Sequence, residues 1–343
     1  MVTGGNPVKA SDVTPCVLRR CVLAAIGLCL AAVVASCGSS GHGDAKAASG
    51  AALPATYVAL DYPTQGPNVQ LQLFSTAAGA LVRNLNLSGL PSGVYLSDLS
   101  PVAVAGNIAY WGAVQNGPTF EGHIVATPLD GGDSKVLTTG VDPIPSPDGK
   151  RLLIVETSQQ SGQIPSGFAL DDLSTGRSTD LPALSPSRAF VTFAWLPDDH
   201  TVVALYPGYS GCRGPAACLP VPIAPAPAAW SLDTSAIPQV WRPMQKVESA
   251  VAGMRLVGPG PASGTIVAEL SGRTEKVTVL NVDSALAPSG REVTLEGSCN
   301  AVDHNGLNLI CNSGKGIVTI SLNDAHPRVI GPMALINYEL AWS

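Results

Sequence analysis

The sequence predicts an all-β chain, folded as a six-bladed β-propeller of four-stranded antiparallel blades, and three observations carry that prediction. The first is composition: 36 Gly and 29 Pro among 343 residues, with 45% hydrophobic content, suit a turn-rich β protein with a sizeable core and not a helical one. The second is a hairpin that recurs. Ile144 to Glu156 reads I-P-S-P-D-G-K-R-L-L-I-V-E, a short strand, a Pro-Asp-Gly turn and an apolar β-branched run. Glycine accepts the positive φ that such a turn requires, and aspartate closes it with its own side chain. The third is the final strand, whose missing partners the first strands of the domain can supply.

In chain order, residues 1–36 form the first element. Arg19-Arg20 is followed by C-V-L-A-A-I-G-L-C-L-A-A-V-V-A, an apolar run of signal-peptide length and short for a membrane span. Val34-Ala35-Ser36-Cys37 with Gly38-Ser39-Ser40 behind it resembles the lipobox of bacterial lipoproteins. That resemblance implies lipidation of Cys37, export to the outer surface of the cell membrane and anchoring there through lipid. An ordinary secretory signal with a chance cysteine is the alternative. The arginine pair leaves Sec and twin-arginine export both open. Residues 37–53 are small, polar and aperiodic, the composition of a flexible tether.

Residues 54–343 form the propeller. Its inner hairpins turn at Gly106, Gly149, Asp199, Gly264 and Gly306, intervals close to the roughly 40–50 residues of a propeller blade. The longer gap from 199 to 264 holds the insertion at 207–228. A seventh blade would need strands there, against which its prolines argue. Outer hairpins number one more than inner ones: V-Q-L-Q-L-F-S-T-A-A-G-A-L-V is the first and I-V-T-I-S-L-N-D-A-H-P-R-V-I the last. The terminal N-Y-E-L-A-W-S removes the mismatch if it is the innermost strand of a blade whose other strands are T-Y-V-A-L-D-Y, V-Q-L-Q-L-F and A-L-V-R-N-L. Such closure leaves no free inner edge.

Ser146-Pro147-Asp148-Gly149, Leu129-Asp130-Gly131-Gly132 and, in part, Trp195-Leu196-Pro197-Asp198 resemble the WD40-like repeat of the Tol-system periplasmic propeller. The motif is structural, so the resemblance implies a fold and no activity.

Four cysteines follow Cys37. Cys299 and Cys311 lie equally far from Asn305, which sets them opposite each other across a hairpin and within reach of a disulfide. Cys212 and Cys218 bracket R-G-P-A-A and close a small loop by the same reading. A metal site is the alternative, but no histidine or second cysteine pair stands at ligand spacing.

Charge limits the partners. The whole chain carries a net −6 with only 13% charged residues, and its signal region is basic, so the exported body is more acidic than the whole. Without a basic stripe it does not suit nucleic acid, and its membrane contact is expected through the lipid anchor alone. No nucleophile elbow, metal-spaced histidine cluster, phosphate-binding loop or chemically motivated carboxylate pair stands out, so no catalytic residue, metal or cofactor is assigned. The binding candidates are Tyr206, Tyr209 and Arg213 in and beside the proline-rich insertion, where pre-stiffening lowers the entropy lost on binding. Trp111 and Phe120 form a second aromatic candidate, with core packing as the other reading. The expectation is a cell-surface binding or scaffold module for an envelope protein or extracellular ligand. The alternative is a propeller enzyme, a lyase or glycan-active hydrolase, with its site at the central channel.

Overall fold

Five inner turns place a residue in the left-handed region with nearly the same angle: Gly106 at φ 59, Gly149 at 67, Asp199 at 62, Gly264 at 68 and Gly306 at 68. One backbone solution is thus repeated around the ring. The computed structural model describes residues 52–61, 70–92, 94–96, 101–115, 121–157, 165–185, 191–208, 226–270, 275–331 and 338–343. Residues 1–36, read above as a signal sequence, and nearly all of residues 37–53, Cys37 included, lie outside them, as do Phe120, Tyr209, Cys212, Arg213 and Cys218.

Six antiparallel sheets make the blades. Blade one joins β1 (Thr56–Asp61), β2 (Gln70–Ser75) and β3 (Leu81–Asn84) to the last strand, β25 (Tyr338–Trp342). Their order is β25-β1-β2-β3, with Val58 opposite Ala341 and Tyr57 opposite Trp342. The ring therefore closes as the sequence predicts. Blade two departs from the simple pattern. Its inner position is shared by β4 (Val94–Leu96) and β5 (Ala103–Ala105), which both pair with β6 (Ile108–Gln115), followed by β7 (Glu121–Pro128) and β8 (Lys135–Thr139). The strand β6 outruns either inner piece: Leu96 stands opposite Ala113, whereas Ala103 stands opposite Tyr110.

The other blades have four strands each. Blade three holds β9 (Asp142–Pro145), β10 (Arg151–Thr157), β11 (Pro165–Asp172) and β12 (Arg177–Leu181). Blade four holds β13 (Thr192–Trp195), β14 (Thr201–Tyr206), β15 (Ala228–Asp233) and β16 (Arg242–Pro243). In blade five are β17 (Met254–Pro259), β18 (Thr265–Leu270), β19 (Glu275–Asn281) and β20 (Ala287–Leu295), and in blade six β21 (Ser298–Val302), β22 (Asn308–Ser313), β23 (Gly316–Ser321) and β24 (Pro327–Val329).

A blade in the ring is covered on both faces, so its middle strands read as continuous apolar runs instead of alternating. In β14, Val202, Ala204 and Tyr206 pack toward blade three, while Val203 and Leu205 pack toward blade five. The buried apolar residues accordingly fall into separate wedges, one between each pair of neighbouring blades. Tryptophans tie some of these wedges across the blade boundary. The indole N–H of Trp195 in blade four donates to the Ile144 carbonyl of blade three at 2.8 Å. That of Trp342 in blade one donates to the Asn308 carbonyl of blade six at 3.0 Å.

Candidate functional site

The ring has two unlike faces. The inner turns, 146–150 and 196–200 among them, and the outer turns, such as 173–176 and 322–326, all lie at one end of the strands. Two of their carboxylates are consumed within their own turns: Asp198 Oδ1 accepts the backbone N–H groups of His200 and Thr201 at 3.0 and 2.8 Å, and Asp303 accepts those of Leu307 and Asn308. The domain also begins and ends on this face. Ala55 accepts the N–H of Thr76 in an outer turn at 3.0 Å, and the Ser343 N–H reaches the Thr56 carbonyl at 3.2 Å. At the opposite end are the links between blades and the ends of each blade's two middle strands, among them the end of β14 at Tyr206 and the start of β15 at Ala228.

On that second face, at the boundary of blades five and six, three charged residues converge. Arg255 on β17 stands directly opposite Glu269 on β18. The phase of β18 that buries Val267 against blade six also points Glu269 there, and Glu269 is fully enclosed. Glu275, at the start of β19, shares the phase of Val277 and Val279 in the same wedge. Two glutamates thus occupy positions of an apolar interface, at its outer rim.

Their charges are met in part. Arg255 Nε donates to Glu269 Oε2 at 2.7 Å, and its Nη2 lies 2.5 Å from the same oxygen. Nη2 also donates to Ser298 Oγ at 3.1 Å and to the Cys299 carbonyl. Glu269 Oε1 accepts the Cys299 N–H at 2.8 Å. The peptide of Cys299 is therefore gripped at both its N–H and its C=O from blade five. Among the described residues Glu275 finds no second cation, and its Oε2 is buried without a hydrogen-bond partner. Burial, then the hydrogen bond and the negative charge of Glu269, push its carboxyl up to about 8, against the opposing pull of Arg255. At neutral pH Glu275 is an uncharged acid beside a carboxylate.

Beneath this rim Cys299 and Cys311 are opposite in register and joined as a disulfide, both fully buried. Here the cross-strand reading of the sequence holds, even though a bulge after Cys299 shifts the rest of the hairpin by one residue.

The aromatic candidates within the described residues are core residues: Trp111 takes the core-packing reading, and burial of Tyr206 departs from the expectation of a binding group. Trp111 is fully buried in the wedge between blades one and two, because its phase on β6 faces blade one; its indole N–H donates to Thr127 Oγ1 at 2.9 Å. Tyr206 ends β14 on the phase that packs toward blade three and is buried beside Phe168, Phe193 and Trp230. Tyr209, Arg213 and Phe120 lie outside the described residues. The Arg255, Glu269 and Glu275 grouping was not legible from sequence. Its single signal is a charged residue inside the otherwise apolar T-I-V-A-E-L run. Among the described residues no group of three or more His, Cys, Asp or Glu is placed to hold a metal ion, and no helix is long and apolar enough to cross a membrane.

No protein-family model matches the chain, and no curated protein matches it in sequence. Solved structures do match in fold. One from a nidogen/laminin complex aligns with a TM-score of 0.51 at 10% identity, over 83% of this chain and 97% of that one. The β-propeller domain of the Trilobed protease from Pyrococcus furiosus aligns at TM-score 0.40 and 15% identity, over 70% and 72% of the two chains. Acylaminoacyl peptidase from Pyrococcus horikoshii aligns at 0.39 and 14%, over 67% of this chain and 39% of that one. At these identities the likeness extends to the propeller fold and no further.

Proposed function

We propose that this chain is an exported lipoprotein, anchored through Cys37, whose propeller binds an envelope protein or an extracellular ligand on the face that carries the long connections. One observation carries this reading: the domain's N-terminus enters on the face of tight turns, and the 207–227 connection springs from the opposite one. A tether leading from a lipidated Cys37 to Leu53 then attaches to the domain on the turn face and leaves the loop face unencumbered. The turn face is built from short hairpins whose aspartates are spent within their own turns or on the neighbouring blade, which suits a base and not a recognition surface.

The enzyme reading has one feature in its favour, since an uncharged acid beside a carboxylate is a pattern used in general acid–base chemistry. Yet Glu269 has both oxygens engaged and no exposed surface. That leaves it unable to reach a substrate, and the binding reading stands ahead.

The test has two arms. Metabolic labelling with a radioactive fatty acid should mark the wild-type chain and leave Cys37→Ser unlabelled. Affinity capture from envelope extract should retain a partner with the intact chain and lose it when residues 208–227 are deleted. Equal labelling of Cys37→Ser would remove the anchor from this account. Equal capture after the deletion would move the binding surface elsewhere.

A further inference from the structure

We infer that Glu275, Glu269 and Arg255 form a proton-dependent clasp that holds blades five and six together at the loop face and releases when Glu275 loses its proton.

The geometry fixes what the clasp joins. Arg255 and Glu269 both belong to blade five, and together they hold the carbonyl and the N–H of Cys299, on the innermost strand of blade six. Both contacts require one negative charge for one positive charge. With Glu275 protonated the three side chains carry +1, −1 and 0, a balanced set that suits a partly desolvated rim. Ionised Glu275 makes a second carboxylate against Glu269, with Arg255 alone among the described residues to offset both. Glu269 is then repelled by its neighbour, Arg255 is drawn toward a second acceptor, and the Cys299 peptide loses the groups that grip it.

No other charged group near Glu275 among the described residues removes this dependence. From β17 comes Arg255 and from β18 Glu269. Leu295 of β20 stands opposite Glu275, and β21 and β22 contribute Ser298 and the disulfide-bonded Cys299 and Cys311. Lys276 points to the other surface of the blade and is paired with Glu292 at 2.8 Å. Glu296 is exposed in the link to blade six, and Arg273 lies outside the described residues.

The disulfide supplies a reporter, because its cysteines are fully enclosed and a reductant reaches them only when the rim opens. The full-length chain, wild type and Glu275→Gln, is exposed to a water-soluble phosphine between pH 6 and 9, and reduction of Cys299 and Cys311 is followed by mass mapping. Glutamine keeps the size and the donor of a protonated glutamate and cannot ionise. The wild-type rate divided by the variant rate should rise with pH, approaching at most about tenfold per pH unit, and level off above the titration. In parallel, carboxyl-labelled glutamate followed by NMR should show one carboxyl titrating far above the ordinary glutamate range in the wild type and absent from Glu275→Gln. A flat rate ratio, or no such carboxyl, overturns the inference, and neither result bears on whether the loop face binds a partner.

Discussion

Asp199 occupies the left-handed turn position that glycine fills in the other inner turns, and its Oδ1 accepts the backbone N–H of Asp148 from the neighbouring blade at 2.8 Å. The side chain offsets a backbone cost with a bond that glycine cannot make. Asp199→Ala keeps the strained φ and loses the bond, so it should destabilise the fold by about 1–3 kcal/mol. Asp199→Gly loses the bond and relieves the strain, and should be milder. Thermal unfolding of the two variants orders them.

The closing blade makes the next prediction. Trp342 is mostly buried and donates to the Asn308 carbonyl, which also accepts the Asp303 N–H at 2.9 Å, so Trp342→Phe removes one of that carbonyl's two donors, at a cost of roughly 0.5–1.5 kcal/mol for the lost bond. Ending the chain at Gly331 removes β25 altogether. It exposes the whole inner edge of β1, and the expected outcome is loss of cooperative unfolding together with concentration-dependent association, read by calorimetry and light scattering.

The pH dependence of stability has a definite sign. Below the ordinary glutamate value of 4.5 the folded and unfolded chains both hold the Glu275 proton, and nothing is lost. Between 4.5 and about 8 only the folded chain holds it, so the unfolded chain binds fewer protons and stability falls as pH rises. Above that window the loss is complete. Glu275→Gln should flatten this part of the profile and exceed wild-type melting temperature at pH 8, as measured by unfolding across pH 4–9.

The disulfide should contribute on the scale of other small loops. Cys299 and Cys311 are separated by 12 residues, and replacing both with alanine should lower stability by about 2–4 kcal/mol. Denaturant titration of the double variant against the oxidised parent measures it.

Closure of the ring was legible because it is a counting problem: the outer hairpins outnumber the inner ones, and the closing strand ends in Ala341-Trp342 as β13 ends in Ala194-Trp195. The Cys299 and Cys311 pair was legible for a similar reason, since a hairpin about Asn305 fixes which residues face each other. Phase was the difficulty elsewhere. When both faces of a strand are buried, sequence does not tell which neighbour each residue meets. Trp111 could therefore be read as part of a rim patch, although its phase directs it to blade one. The same ambiguity hid Glu269, whose partners come from the facing strand and from Cys299 30 residues away. The split of the inner strand in blade two was hidden too, because it depends on β6 being longer than either inner segment.

We propose that recognition belongs to the loop face. A photo-reactive amino acid placed at position 209, within the 207–227 connection, or at position 323, exposed in an outer turn of the opposite face, tests it in living cells expressing the full-length chain. Position 209 should give a discrete cross-linked adduct and position 323 none. An adduct from position 323 alone, or from neither, would contradict it.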